Sequence, residues 1–172
     1  MKAHAKADEI IQGTGWENGK GCFIGCTLHE YSHKKFESEG IGPEWLGILA
    51  DQIFEGLSNE KAKQFAVDFY PAMKVGLDFE QVKKEFLIFI LEENIKYLDA
   101  CEYDKDKWPE VTSSIEQTKK AIELCIEYQK GKESVRSALF AALSAARSAW
   151  SARSAAYEKY ADKLLELLRG EL

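Results

Sequence analysis

Apolar side chains recur every three or four residues along almost the whole chain, the spacing of one helical face. Glycines and prolines punctuate the pattern. The spacing predicts a short first helix over 3–12, stopped by Gly13 and Gly15. A second runs from about Cys22 to Glu37 and is closed by Gly40 and Gly42. Pro43 suits the first helical position of a third, Glu44 to Glu55. Ser58 or Asn59 caps a fourth, which reaches about Tyr70. Asp78 opens a fifth, where Phe79, Val82, Phe86, Phe89, Ile90 and Tyr97 share helical spacing. Trp108-Pro109 leads into a sixth, broken by Gly131. Residues 16–21 read as a polar, glycine-rich turn. No segment alternates with the period of two that a half-buried strand needs. The predicted fold is all-α: a single-domain helical bundle of about seven helices over 1–172. Residues 1–131 form a helical body and 133–169 a long C-terminal helix.

That last segment, Glu133 to Arg169, holds no glycine or proline and is mostly Ala, Ser, Leu and Arg. It repeats itself after eleven residues, Arg136-Ser-Ala-Leu followed by Arg147-Ser-Ala-Trp. An eleven-residue period keeps one face aligned along a nearly straight helix. The small residues on that face permit close approach of a neighbouring backbone. At 1.5 Å per residue the helix is ~55 Å long, against ~40 Å for the diameter of a compact domain of this size. It must protrude, break or be covered. The expected outcome is a homo-oligomer, most simply a two-fold dimer, with this helix in the interface.

Composition narrows the partners. A net charge of −6 argues against non-specific binding to nucleic acid or an anionic membrane. The longest apolar run, Phe86 to Leu91, is too short to span a bilayer. The N-terminus carries no apolar signal core. The expectation is a cytoplasmic protein whose four cysteines, Cys22, Cys26, Cys101 and Cys125, are reduced thiols.

Chemistry-capable residues concentrate in 15–33. On one continuous helix, Cys22, Cys26, His29, His33 and Phe36 fall in a single arc. Three readings follow. The first is a core seam, in which cysteine acts as a small hydrophobe and histidine finds a hydrogen-bond partner. The second is metal. His29-Glu30-Tyr31-Ser32-His33 matches H-E-x-x-H, where two imidazoles hold zinc and Glu30 is the general base. Asp51 or Glu55 can supply a third ligand, and Cys22 and Cys26 are further candidates. The third is anion binding. Trp16, Asn18, Gly19, Lys20, Gly21 and Cys22 precede or open a helix whose free amides and positive dipole end suit a phosphate or nucleotide. Cys22 at that position has the setting of a lowered thiol pKa, with His29 as a base. His4 has no partner nearby in sequence.

Gly15-Trp16-Glu17-Asn18-Gly19-Lys20-Gly21-Cys22, with Gly25-Cys26-Thr27-Leu28-His29, resembles a family of phage and bacterial proteins with no established activity. So do Pro43-Glu44-Trp45-Leu46, Ile53-Phe54-Glu55-Gly56 and the tail from Tyr157 to Leu165. The resemblance implies a phage or mobile-element setting and assigns no mechanism. The leading expectation is a non-enzymatic helical protein that binds a partner or a small anionic ligand, a nucleotide among the candidates, near residues 16–33. The alternative is a zinc-dependent hydrolase using 29–33. No cofactor is expected on the first reading, and zinc on the second.

Overall fold

The computed structural model describes residues 1–100, 115, 116, 119, 126 and 153–171. Its elements are α1 (Lys2–Lys6), β1 (Trp16–Glu17), β2 (Lys20–Gly21), α2 (Phe23–Leu28), α3 (His33–Ser38), α4 (Glu44–Gly56), α5 (Asn59–Ala72), α6 (Phe79–Ala100) and α7 (Arg153–Leu168). The fold is all-α, with a two-residue hairpin as its sole sheet among the described residues. The chain divides into two compact units, Met1–Phe79 with Ser151–Leu172, and Glu80–Trp150. Two expected features lie outside the described residues, apart from helical 115, 116, 119 and 126. One is the sixth helix. The other is the 133–152 part of the C-terminal helix, which holds nearly all of the eleven-residue repeat.

In the first unit α4 is the hub, packed by α2, α3, α5 and α7. It buries Leu46, Leu49, Ala50, Ile53 and Phe54. Burial of such side chains contributes roughly 1.5–3 kcal/mol each. Phe23 of α2 is fully enclosed by an aromatic cluster, with Phe69 edge-on at 4.8 Å and Tyr70 stacked at 5.8 Å. α7 closes the far side with Tyr157, Tyr160, Leu164, Leu167 and Leu168. Gly56 is required there, because any Cβ would overlap the Tyr157 ring. In the second unit α6 buries Val82, Phe86, Leu87, Ile90 and Leu91 along one face, and Lys119 pairs with Asp99.

Three expectations need correction. First, α1 ends at Lys6, not near Gln12. Asp8 turns the chain at φ 54°, and residues 9–11 run extended beside β2. Gly21 N–H donates to Glu9 O at 3.0 Å, and Ile11 N–H donates to Gly21 O at 2.9 Å. Second, the turn at 16–21 is a hairpin, with Trp16 opposite Gly21. Asn18 and Gly19 at φ 51° and 79° supply the two left-handed residues that a tight hairpin favours. Its strands are too short to show alternation. Third, the helix expected from Cys22 to Glu37 is two helices. His29 adopts φ 55°, ψ 26° and terminates α2, its amide bonded to Gly25 O at 2.8 Å. Ser32 then starts α3 by accepting Lys35 N–H on its hydroxyl at 3.3 Å.

Candidate functional site: a Cys-Asp-Glu cluster beside His33

The break between α2 and α3 decides which residues meet. On a continuous helix His29 and His33 would share a face. With the helix broken at 29–32 they do not, and the H-E-x-x-H segment has no zincin geometry. Glu30, the base on that reading, is exposed and paired with Lys35 at 3.1 Å. His29 stacks on Trp16 at 4.9 Å, its Nε2 3.3 Å from His4 Nε2. Cys26 also turns away from the arc, donating its thiol proton to Gly21 O at 3.2 Å.

The remaining candidates converge. Cys22 is the N-cap of α2, 2% exposed. His33 is the first residue of α3. Asp51 and Glu55 lie four apart on α4, hence on one face. One ligand atom each from Cys22, Asp51 and Glu55 lies within 4.8 Å of the other two. His33 Nε2 stands 3.4 Å from Asp51 Oδ2. α2 and α3 both pack on α4, which brings Cys22 to the Asp51–Glu55 face and sets His33 beside Asp51 at the edge of that group. Gly47 of α4 lets Phe36 of α3 sit close enough for this, since a Cβ there would meet that ring at 3.1–3.2 Å.

Asp51 is the centre of the cluster and the one charged residue buried among those described. Its Oδ2 accepts from the Tyr31 hydroxyl at 3.2 Å. Its Oδ1 has no hydrogen-bond partner, and neither has the buried Nε2 of His33. A buried carboxylate oxygen without a partner costs on the order of 1–3 kcal/mol, more when charged. Glu55 sits at the solvent edge, with both oxygens on Gly13 N–H at 2.9 and 3.2 Å. Gly13 is fixed in turn by its neighbour Gln12, whose amide donates to Phe54 O and Leu57 O at the end of α4. Among the described residues no lysine or arginine pairs with Asp51 or Glu55.

The titration of the neighbours records this crowding of negative charge. Burial, then the charge of Asp51, pushes the Cys22 thiol up to about 12. The expected lowering of its pKa is thus reversed, and burial beside Asp51 favours the protonated thiol in the metal-free site. Burial and Asp51 likewise push the Tyr31 phenol up to about 12. The Glu55 carboxyl is raised, by burial first and then by Asp51, against the lowering effect of Gly13 N–H.

The six residues expected to cradle an anion are placed differently. Gly21 N–H is held by Glu9 O, and Cys22 N–H by Thr14 O at 2.7 Å and Gly15 O at 3.1 Å. Trp16 packs on His29, while Asn18, Gly19 and Lys20 form the exposed hairpin tip. Tyr31 is the site residue that sequence reasoning passed over. Its one signal was its place between two candidate histidines. Comparison with protein families, with curated proteins and with solved structures finds no match for this chain. No helix among the described residues is long and apolar enough to cross a membrane.

Proposed function

We propose that this chain is a metal-binding helical protein that holds one divalent cation between Cys22, His33, Asp51 and Glu55. The observation that carries the reading is Asp51 Oδ1, buried and without a partner, beside a thiol and a second carboxylate. Two unit charges within 4.8 Å of each other repel by a few kcal/mol at an effective dielectric near 20 (roughly 3 kcal/mol at that limit), and less where one faces solvent. A dication turns that repulsion into attraction and satisfies both orphaned atoms. The donor set of one sulfur, one imidazole and two carboxylates is borderline in softness, which suits zinc. Around tetrahedral zinc, sulfur and oxygen ligands stand about 3.5 Å apart, so the cluster contracts modestly on loading.

The cation on this reading is a staple. It ties the starts of α2 and α3 to the middle of α4, across the turn that residues 29–32 introduce. Direct measurement of bound metal in untagged protein, dialysed after zinc loading, tests it. At least one equivalent is expected. Cys22→Ser or Asp51→Asn lowers the zinc content by one equivalent, and His29→Gln retains the equivalent held at the cluster. Protein that holds no zinc after loading overturns the reading.

One feature favours a second reading, a metal-dependent hydrolase with Cys22, His33 and Asp51 as the three ligands. Glu55 lies at the open edge with a raised carboxyl pKa, a setting suited to a base that takes the proton of an attacking water. Loss of hydrolysis in Glu55→Gln with zinc still bound separates this from the staple.

A further inference from the structure

His29 and His4 form a separate arrangement that the buried cluster does not use. His4 Nδ1 lies 2.6 Å from Glu9 Oε2. A carboxylate accepts only, so the proton of that bond sits on His4 Nδ1. In the neutral ring this leaves Nε2 as a bare lone pair, and it faces His29 Nε2 at 3.3 Å. Two nitrogens about 2.0–2.1 Å from a tetrahedral zinc are themselves about 3.3 Å apart. A carboxylate behind a histidine whose other nitrogen is free is the arrangement that orients metal-ligating imidazoles.

Three elements place these groups. His4 comes from α1 and Glu9 from the extended segment after it. His29 is held at the end of α2 in the left-handed region, against the Trp16 ring of the hairpin. A left-handed conformation disfavours a residue with a Cβ, and here it swings the imidazole off α2 towards His4. His29 is exposed, so a cation between the rings can complete its coordination with water.

We infer that His4 and His29 form a second, solvent-accessible site for an imidazole-preferring transition-metal dication, with Glu9 as the positioning residue behind His4. This inference does not depend on the buried cluster. The alternative occupant of the 3.3 Å gap is a proton shared by the two rings.

Nickel is the probe, because it prefers imidazole and quenches indole fluorescence, and Trp16 stacks on His29 at 4.9 Å. Titration of the full chain with Ni²⁺ is expected to quench tryptophan emission saturably. His4→Gln and His29→Gln each weaken binding at least 10-fold, and Glu9→Gln weakens it less. Trp16→Phe removes most of the quenching while calorimetry still records binding. Asp51→Asn, which disables the buried cluster, leaves the titration unchanged. Circular dichroism confirms that each variant is folded. Ni²⁺ binding that survives His29→Gln, or that disappears in Asp51→Asn, overturns the inference. So does the absence of saturable binding at millimolar Ni²⁺, which leaves the gap to the shared proton.

Discussion

His29 and His33 are four residues apart and end in opposite surroundings. His33 is the first residue of α3, its Nε2 buried and 3.4 Å from the carboxylate of Asp51. His29 stands at the end of α2, exposed, stacked on an indole and facing another imidazole. One site is assembled from the starts of α2 and α3 and the middle of α4, and its carboxylates pair with no lysine or arginine among the described residues. The other is assembled from α1, the segment after it and the end of α2, and joins His4 to Glu9 and to His29. What separates them is a break in the helix, set by one left-handed residue and one serine cap. Side-chain type alone therefore does not assign a histidine its role; the backbone between two histidines does.

The largest effect that sharpens this contrast is stabilisation by zinc. At a free concentration of about 100 times Kd, a ligand that binds only the folded state adds about 2.7 kcal/mol. Thermal unfolding is expected to shift up by several degrees with zinc and to return with chelator. The shift is absent in Asp51→Asn and intact in His29→Gln. Zinc affinity also rises with pH, because the Cys22 thiol must lose a proton held up to about 12 in the metal-free site.

The metal-free protein should show the opposite sign at the same residue. Asp51→Asn removes a buried charge that lacks one of its partners, so denaturant melts of the metal-free variant are expected to gain about 1–2 kcal/mol. A variant that is less stable both with and without zinc would break the comparison, by making Asp51 an ordinary structural residue.

The turn between the two histidines gives a smaller pair of effects. Ser32→Ala removes the α3 cap and is expected to cost about 1 kcal/mol. It should also weaken zinc binding, since His33 follows directly. Glu30→Ala, two residues earlier, removes only a surface ion pair with Lys35 and is expected to change stability by less than about 0.5 kcal/mol.

The smallest effect is the pH response of Glu55. Its carboxyl is raised above the ordinary 4.5 in the folded chain. The folded state thus binds that proton more tightly than the unfolded state does. Its contribution to stability is fully present below 4.5 and is lost as pH rises through the raised value. Comparing denaturant melts of metal-free wild type and Glu55→Gln across that window isolates the effect. The wild type should gain relative to the variant as the pH falls.

Much of the architecture was readable before any coordinates. The three- and four-residue spacing in 44–56, 59–72 and 79–100 marks α4, α5 and α6, and their bounds fall close to the glycine, serine and aspartate signals that flank them. Asp51 and Glu55 were candidates as a third ligand from the next helix, 18 and 22 residues beyond His33. The split of 22–37 was hidden by its own periodicity. Cys22, Cys26, His29, His33 and Phe36 keep helical spacing straight through the break, so the apolar pattern carries no trace of it. The trace lies in Ser32, a good N-cap residue that an uninterrupted helix would waste. The Asn18-Gly19 hairpin was spelled out by its turn residues, but two-residue strands leave no alternation to find. His4 meets Glu9 and His29 through three turns of chain, and no local pattern encodes that.

The junction of Gly56 with Tyr157 has a consequence for how the protein is made. The first unit is completed by a helix encoded after the whole of the second unit. A nascent chain that has just emerged through Phe79 has α4 and α5 but not α7, whose Leu168 carbonyl later accepts the Lys74 amide at 2.9 Å. At about 5–20 residues per second, translation of the intervening unit takes on the order of several seconds. Throughout that interval Leu57 and Phe65, which later line a cavity with Ala161 and Leu165 of α7, lack the cover that α7 supplies. A product truncated before Arg153 would lack the α7 side chains that meet Leu57 and Phe65, and is expected to be a substrate for chaperones and proteases.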